Sequence, residues 1–260
     1  TSRGLGDVYK RQVPISLHEE DPAYIKQPGV NQGKVSEQLN YGGASYLAEA
    51  VMVKRDCELA VKTGAKVDIQ HISSGVAVDY VKEAKEKGAN VYAEASPHHF
   101  TLTEEAVLKY GTLARMNPPL RTEEDRQRII KGLQEGTIEI IATDHAPHSK
   151  EEKDKPLDQA PSGITGIETS LALGVTELVE KGYLSMMQLL EKMTINPAKL
   201  YNMEQGRLQE GKPADVVLFD PEEEWEVKEY KSKATNSPFT GWKLKGKVKY
   251  TICDGKIIEL

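Results

Sequence analysis

The chain has 260 residues, enough for one large domain or two smaller ones, and carries a net charge of −6. No basic stripe interleaves with aromatics, which argues against a nucleic-acid partner. No apolar run approaches the roughly 20 residues of a membrane span, and no signal-peptide pattern opens the chain. Two cysteines, Cys57 and Cys253, are too few and too far apart for a disulfide framework or a thiolate metal site, so a reducing, cytoplasmic compartment fits.

Residues 1–12 have no initiator Met and no periodic pattern leading into the strand at Val13. They read as a non-native N-terminal scar rather than a basic arm. From Val13 onward strands and helices alternate. Val13-Pro-Ile-Ser-Leu predicts a short strand ending at His18, and residues 19–43, rich in Pro, Gly, Asn and charge, a long loop. A helix is expected over about 45–63, with Gly64 suited to its C′ position. Lys66–Gln70 is the next strand, ending at His71, followed by a helix over about 76–87 that stops at Gly88. Asn90–Ala95 is a third strand and leads into Ser96-Pro-His-His. Thr122-Glu-Glu-Asp reads as a capping box opening a helix that ends before Gly136, and 138–142 is a β-branched fourth strand.

This alternation argues for an α/β fold with a parallel sheet. Past Gly163, two or three helices are expected over 167–204. The tail then changes character: 214–220, 224–227 and 248–258 are strand-like, with Asp254-Gly255 as a hairpin turn. The division read from the sequence is therefore 1–12, 13–204 and a small β subdomain over 205–260. A closed barrel needs eight strands, and only four of barrel type precede the tail, so the sheet is either open or the second half of a barrel.

All six histidines, at 18, 71, 98, 99, 145 and 148, lie at or just past the ends of candidate strands, and none follows His148. In a parallel α/β barrel that end carries the catalytic groups. His18, His71 and Asp144 each end a different strand and supply zinc-type ligands, although any one of them alone could simply cap a turn. Asp144 could bind a metal, take a proton from an attacking water, or act as an N-cap; position does not separate these. Of His98 and His99 at most one would face a site, and a structural role is preferred for both. Arg115-Met-Asn-Pro-Pro-Leu-Arg121 offers an amide to a ring imide, or is a polyproline turn with solvated arginines. Residues 149–163 suit a mobile loop that could close over substrate, or equally a plain solvated loop. The run His18-Glu-Glu-Asp21 reads as a solvated face, with Asp21 close enough to His18 to matter.

Five motifs occur in order: Leu17-His-Glu-Glu-Asp21, Gln70-His-Ile-Ser-Ser74, Glu94-Ala-Ser-Pro-His-His99, Met116-Asn-Pro-Pro-Leu-Arg121 and Ala142-Thr-Asp-His-Ala-Pro-His148. Together they closely resemble the dihydroorotases of the bacterial class I type, in the amidohydrolase superfamily. The resemblance runs from about Val13 to the C-terminus. It implies a (β/α)8 barrel with a small β domain, of which this chain would hold strands five to eight. It also implies a two-zinc centre and the reversible interconversion of N-carbamoyl-L-aspartate and (S)-dihydroorotate in pyrimidine synthesis. By that resemblance His18, His71 and Asp144 bind metal and Asp144 is also the general base. Asn117 and His148 contact substrate, and Ser162 and Gly163 offer a backbone contact from the closing loop.

The family's His-x-His-x-Arg motif and its bridging aspartate or carboxylated lysine have no counterpart here; no His-x-His occurs in the sequence. The expectation is a C-terminal portion, inactive by itself, whose partners are a small-molecule substrate and possible homodimer or aspartate transcarbamoylase contacts. An allantoinase or dihydropyrimidinase type of hydrolase, and a non-catalytic dihydroorotase-like subunit, are the competing readings.

Overall fold

The computed structural model describes residues 13–259, so the expectation for residues 1–12 lies outside the described residues. Two compact units are present. One runs up to Gly166 and takes back Ser232–Pro238; the other comprises Ile167–Lys231 and the chain from Phe239 onward.

The first unit is built on β1 (Ile15–Leu17), α1 (Lys34–Gln38), α2 (Leu47–Thr63), β2 (Val67–Ile69), α3 (Gly75–Glu86) and β3 (Val91–Ala95). It continues with α4 (Pro97–Thr101), α5 (Ala106–Tyr110), α6 (Glu123–Glu135), β4 (Ile140–Ile141) and α7 (Lys150–Lys153). The strands form one sheet in the order β1-β2-β3-β4, every pair parallel, with Ile15 opposite Val67, Val67 opposite Val91 and Ala95 opposite Ile141. Successive parallel strands require crossovers, and α2, α3 and α6 supply them, with α3 packed against both of the others. Ile69, Ala93, Ala95 and Ile140 are buried, as are Val53, Val81, Ile129 and Leu133 on the helices. This is the α/β fold with a parallel sheet expected from the alternation.

Local chemistry sets the helix ends. Gly64 and Gly136 sit at φ 69° and 79°, in the left-handed region that a β-carbon disfavours, and close α2 and α6. At the start of α6 the Thr122 hydroxyl accepts from the Asp125 N–H at 3.2 Å, and the Asp125 carboxylate returns to the Thr122 N–H at 3.3 Å. The stretch 19–43 is not wholly irregular: it holds a 3-10 turn at Pro22–Tyr24, capped by Asp21, and the short α1.

In the second unit α8 (Ser170–Gly174) runs into a π-helical turn at Val175–Val179, followed by α9 (Met186–Met193) and α10 (Ile195–Leu200). Three antiparallel strands, β5 (Val216–Glu226), β6 (Lys243–Cys253) and β7 (Lys256–Glu259), close the chain. The strands read separately at 214–220 and 224–227 are one strand with a register shift between Asp220 and Glu224. Asp220 Oδ1 accepts from the Glu222 N–H at 2.9 Å, and this local turn lets Pro221-Glu-Glu bulge out without ending β5. Among the described residues no helix is long and apolar enough to cross a membrane.

Candidate active site

The carboxyl ends of the four parallel strands collect the chemistry, as expected for a parallel α/β sheet. His18 follows β1 directly. The Gln70 N–H donates to Leu17 O at 3.1 Å, extending the β1–β2 ladder one step before the chain turns at His71. His71 has φ 33° and Asp144 φ 48°, both in the left-handed region. For a residue with a β-carbon that conformation costs about 1–2 kcal/mol, so the surrounding structure must hold it.

His18 Nδ1 and His71 Nε2 face each other at 2.9 Å, with the rings edge-on, 4.8 Å between centroids. His18 Nε2 lies 3.5 Å from Glu20 Oε2 and 3.5 Å from Asn117 Nδ2. His71 Nδ1 is buried without a hydrogen-bond partner. Burial holds the His71 imidazole below its ordinary pKa, while the negative charge of Asp144 opposes that shift. Next to them His98, only 1% exposed, points Nε2 at Asp144 Oδ2 across 3.8 Å and has no hydrogen bond at that nitrogen. Burial pushes His98 down to about 4, so its ring is neutral at pH 7. His99 turns the other way and bonds Pro118 O at 3.0 Å through Nε2.

Two imidazoles and a carboxylate are a donor set that suits zinc. Two nitrogens on one tetrahedral zinc with ordinary bond lengths lie about 3.4 Å apart, not far from the spacing of His18 Nδ1 and His71 Nε2. Among the described residues no group of three or more His, Cys, Asp or Glu is gathered closely enough to hold an ion. The fit is thus in kind and not in closure: the two histidine nitrogens stand near ligand spacing, and Asp144 is near enough for its charge to act on His71.

The segment 115–121 is not a solvated turn. Arg115 and Arg121 are 6% and 4% exposed, and the Asn117–Pro118 peptide is cis. Arg121 donates to Ser73 Oγ at 3.1 Å and to Asn31 Oδ1 and Ala44 O at 2.8 Å. Glu49, on α2, completes this buried network by accepting from the Ser73 and Ser74 amides just beyond His71. Arg115 donates to Ser162 Oγ at 2.7 Å, and its carbonyl accepts from the Gly163 N–H at 2.8 Å.

His148 Nε2 bonds Ser162 O at 2.9 Å, so His148, Ser162 and Gly163 form one cluster with Arg115. His145 Nδ1 instead accepts from the Gly166 N–H at 3.1 Å, a structural use. The segment 149–163 holds a short helix: α7 starts with a Ser149–Glu152 capping box and ends on the buried Lys153. An anchor made by a lysine leaves no apolar signature in the sequence.

Two buried carboxyl pairs are missed in the reading of the sequence. Glu19, in a run that reads as a solvated face, is 4% exposed, and burial with the neighbouring Asp56 pushes it up to about 8. Glu94 on β3 hydrogen-bonds Asp68 on β2, and burial, then Asp68, push it up to about 8. For the second pair a signal is present: both acids interrupt strand runs, Val-Asp-Ile and Val-Tyr-Ala-Glu-Ala, that are otherwise buried or nearly so. Asp68 also accepts from Ser16 Oγ at 2.9 Å, tying β1 to the pair.

Comparison with known proteins gives the family of the chain. A protein of Clostridioides difficile (strain 630) named dihydroorotase is 68% identical over 246 residues, covering 95% of this chain and 58% of that protein. A dihydroorotase of Clostridium acetobutylicum is 53% identical over 248 residues, with the same two coverages. The chain thus spans well under two thirds of the length of these curated relatives. Among solved structures, the L-hydantoinase (dihydropyrimidinase) of Arthrobacter aurescens superposes with a TM-score of 0.84 at 26% identity, over 97% of this chain and 58% of that one. The dihydropyrimidinase of Brevibacillus agri gives 0.82 at 25% identity, over 94% of this chain and 56% of that one. Residues 44–258 match the amidohydrolase family, and the chain belongs to it.

Proposed function

We propose that the protein is a zinc-dependent dihydroorotase, interconverting (S)-dihydroorotate and N-carbamoyl-L-aspartate. The observation that carries this is the pairing of His18 and His71 beside Asp144 at adjacent strand ends. The names of the relatives at 68% and 53% identity support the choice of substrate. His18, His71 and Asp144 hold the metal, which when bound supplies Lewis-acid polarisation of the ring carbonyl and activation of water. Asp144 takes the proton from the attacking water and returns it to the leaving ring nitrogen. His98, neutral and aimed at Asp144, orients that carboxylate. Asn117, beside His18, and His148, with the Ser162-Gly163 backbone, bind the substrate.

In this reading residues 13–204 are the second half of a (β/α)8 barrel and 205–260 a small β subdomain. With no His-x-His pair in the sequence, the chain alone is inactive. Dimerisation or contact with aspartate transcarbamoylase belongs to the same reading. The test is turnover by the full-length protein on (S)-dihydroorotate, hydantoin, dihydrouracil and allantoin. A clear preference for dihydroorotate is expected. The fold match to hydantoinases motivates the second reading, and a preference for hydantoin or dihydrouracil would establish it.

A further inference from the structure

The tripeptide Pro161-Ser162-Gly163 is gripped by four residues. Lys153, the last residue of α7, is 4% exposed, and its Nζ donates to Pro161 O at 2.9 Å and Gly163 O at 3.1 Å, the carbonyls on either side of Ser162. Asn236 Nδ2 donates to the same Gly163 O at 3.2 Å and to Ala146 O at 3.0 Å, while its Oδ1 accepts from the His148 N–H at 3.0 Å. Arg115 holds Ser162 Oγ and the Gly163 N–H. His148 Nε2 takes Ser162 O. Of the backbone polar groups of Ser162 and Gly163, the Ser162 N–H is thus the one left without a partner among the described residues.

Lys153 is an expensive residue for this place. No carboxylate pairs with it among the described residues; the carboxylates on and just after its own helix are taken elsewhere, Glu151 and Glu152 by Ser149 and Asp154 by Lys150. The charge that acts on it is Arg115, of like sign, and burial followed by that repulsion pushes its ammonium down to about 8. A buried cation without a counter-ion works against folding, and an apolar chain of the same length would pack there with less penalty. What the ammonium supplies is direction: two N–H bonds, one to each side of Ser162.

We propose that Lys153 is a positioning residue, fixing the Ser162 N–H and the His148 ring against the substrate, and that the fold does not require it. The proposal rests on the reading of His148, Ser162 and Gly163 as substrate contacts. The Lys153→Met variant of the full-length protein tests it by three readouts. KM for dihydroorotate is expected to rise on the order of tenfold with kcat nearly unchanged, since small misplacements of binding groups weaken binding steeply. Tm is expected to hold or rise, and amide exchange at Gly163 to quicken. Lys153→Arg, which keeps charge and donors, is expected to recover most of the KM. A Tm lowered by Lys153→Met, or a KM and Gly163 exchange rate left unchanged, overturns the proposal. If the wild-type protein does not turn over dihydroorotate, the substrate reading fails, and Gly163 exchange with Tm still decides the role of Lys153.

Discussion

Glu49 reaches from α2 to the turn beyond β2 and takes the N–H of both Ser73 and Ser74, at 3.0 and 2.9 Å. Those amides lie two and three residues past His71, so the carboxylate sets the path of the chain where His71, a ligand in the proposed metal site, leaves the sheet. Arg121 balances its charge and also faces Glu104, itself 4% exposed. Replacing Arg121 by Met leaves both acids buried without a counter-charge. The expected loss is about 3–5 kcal/mol, read as a lowered urea midpoint. A loss below about 1 kcal/mol would show that the network is not held by its charges.

Asp144 carries the proton in the proposed reaction. Asp144→Asn in the full-length protein is expected to lower kcat by about 10²–10⁴ while leaving Tm unchanged or higher. Near-full activity would remove Asp144 from the chemistry. Dialysis against a chelator is expected to abolish turnover and zinc to restore it.

Glu94 makes stability pH-dependent. Its carboxyl titrates at about 8 in the folded chain against 4.5 ordinarily, because burial and then Asp68 disfavour its charge. The folded state therefore binds this proton more tightly than the unfolded state. Its contribution is fully present below pH 4.5 and is lost as pH rises through about 8. Glu94→Gln, which stays neutral, is expected to flatten that decline and to raise Tm at pH 8 relative to wild type. Parallel Tm–pH curves for the two proteins would contradict this.

Gly163 has φ +105°, and a β-carbon there would stand 2.5 Å from Ala146 Cβ. Ala146 cannot easily retreat, since its N–H donates to Ile164 O at 2.8 Å and its carbonyl accepts from Asn236. Gly163→Ala is expected to cost about 1–3 kcal/mol and to raise KM by shifting the segment off His148. Melting curves with steady-state kinetics check both halves. An unchanged KM would detach this segment from substrate binding.

Much of the first unit is legible in the sequence because its signals are local. Gly64, Gly136 and the Thr122 box mark helix ends through backbone geometry and capping, and β-branched runs mark the strands. The histidines point by position alone to the strand ends as the candidate site. What stays hidden depends on partners far along the chain. Arg121 is buried because Asn31, Ala44 and Glu49 meet it, all of them distant in sequence. Which of His98 and His99 faces the site is decided by the turn of α4, which sends His99 to Pro118 and leaves His98 on Asp144. Lys153 is indistinguishable in the sequence from its solvated neighbours; only the carbonyls of Pro161 and Gly163 around it set it apart.

The left-handed backbone at His71 and Asp144 sets the chain's two goals against each other. Glycine relaxes such a conformation, so a library of variants ranked by heat resistance would drift towards His71→Gly and Asp144→Gly. The hardiest members of that library would be the ones that had shed a ligand of the proposed metal site or the proposed base. Directed evolution of this protein towards robustness therefore has to score turnover in the same round as melting, or it will select its own inactivation.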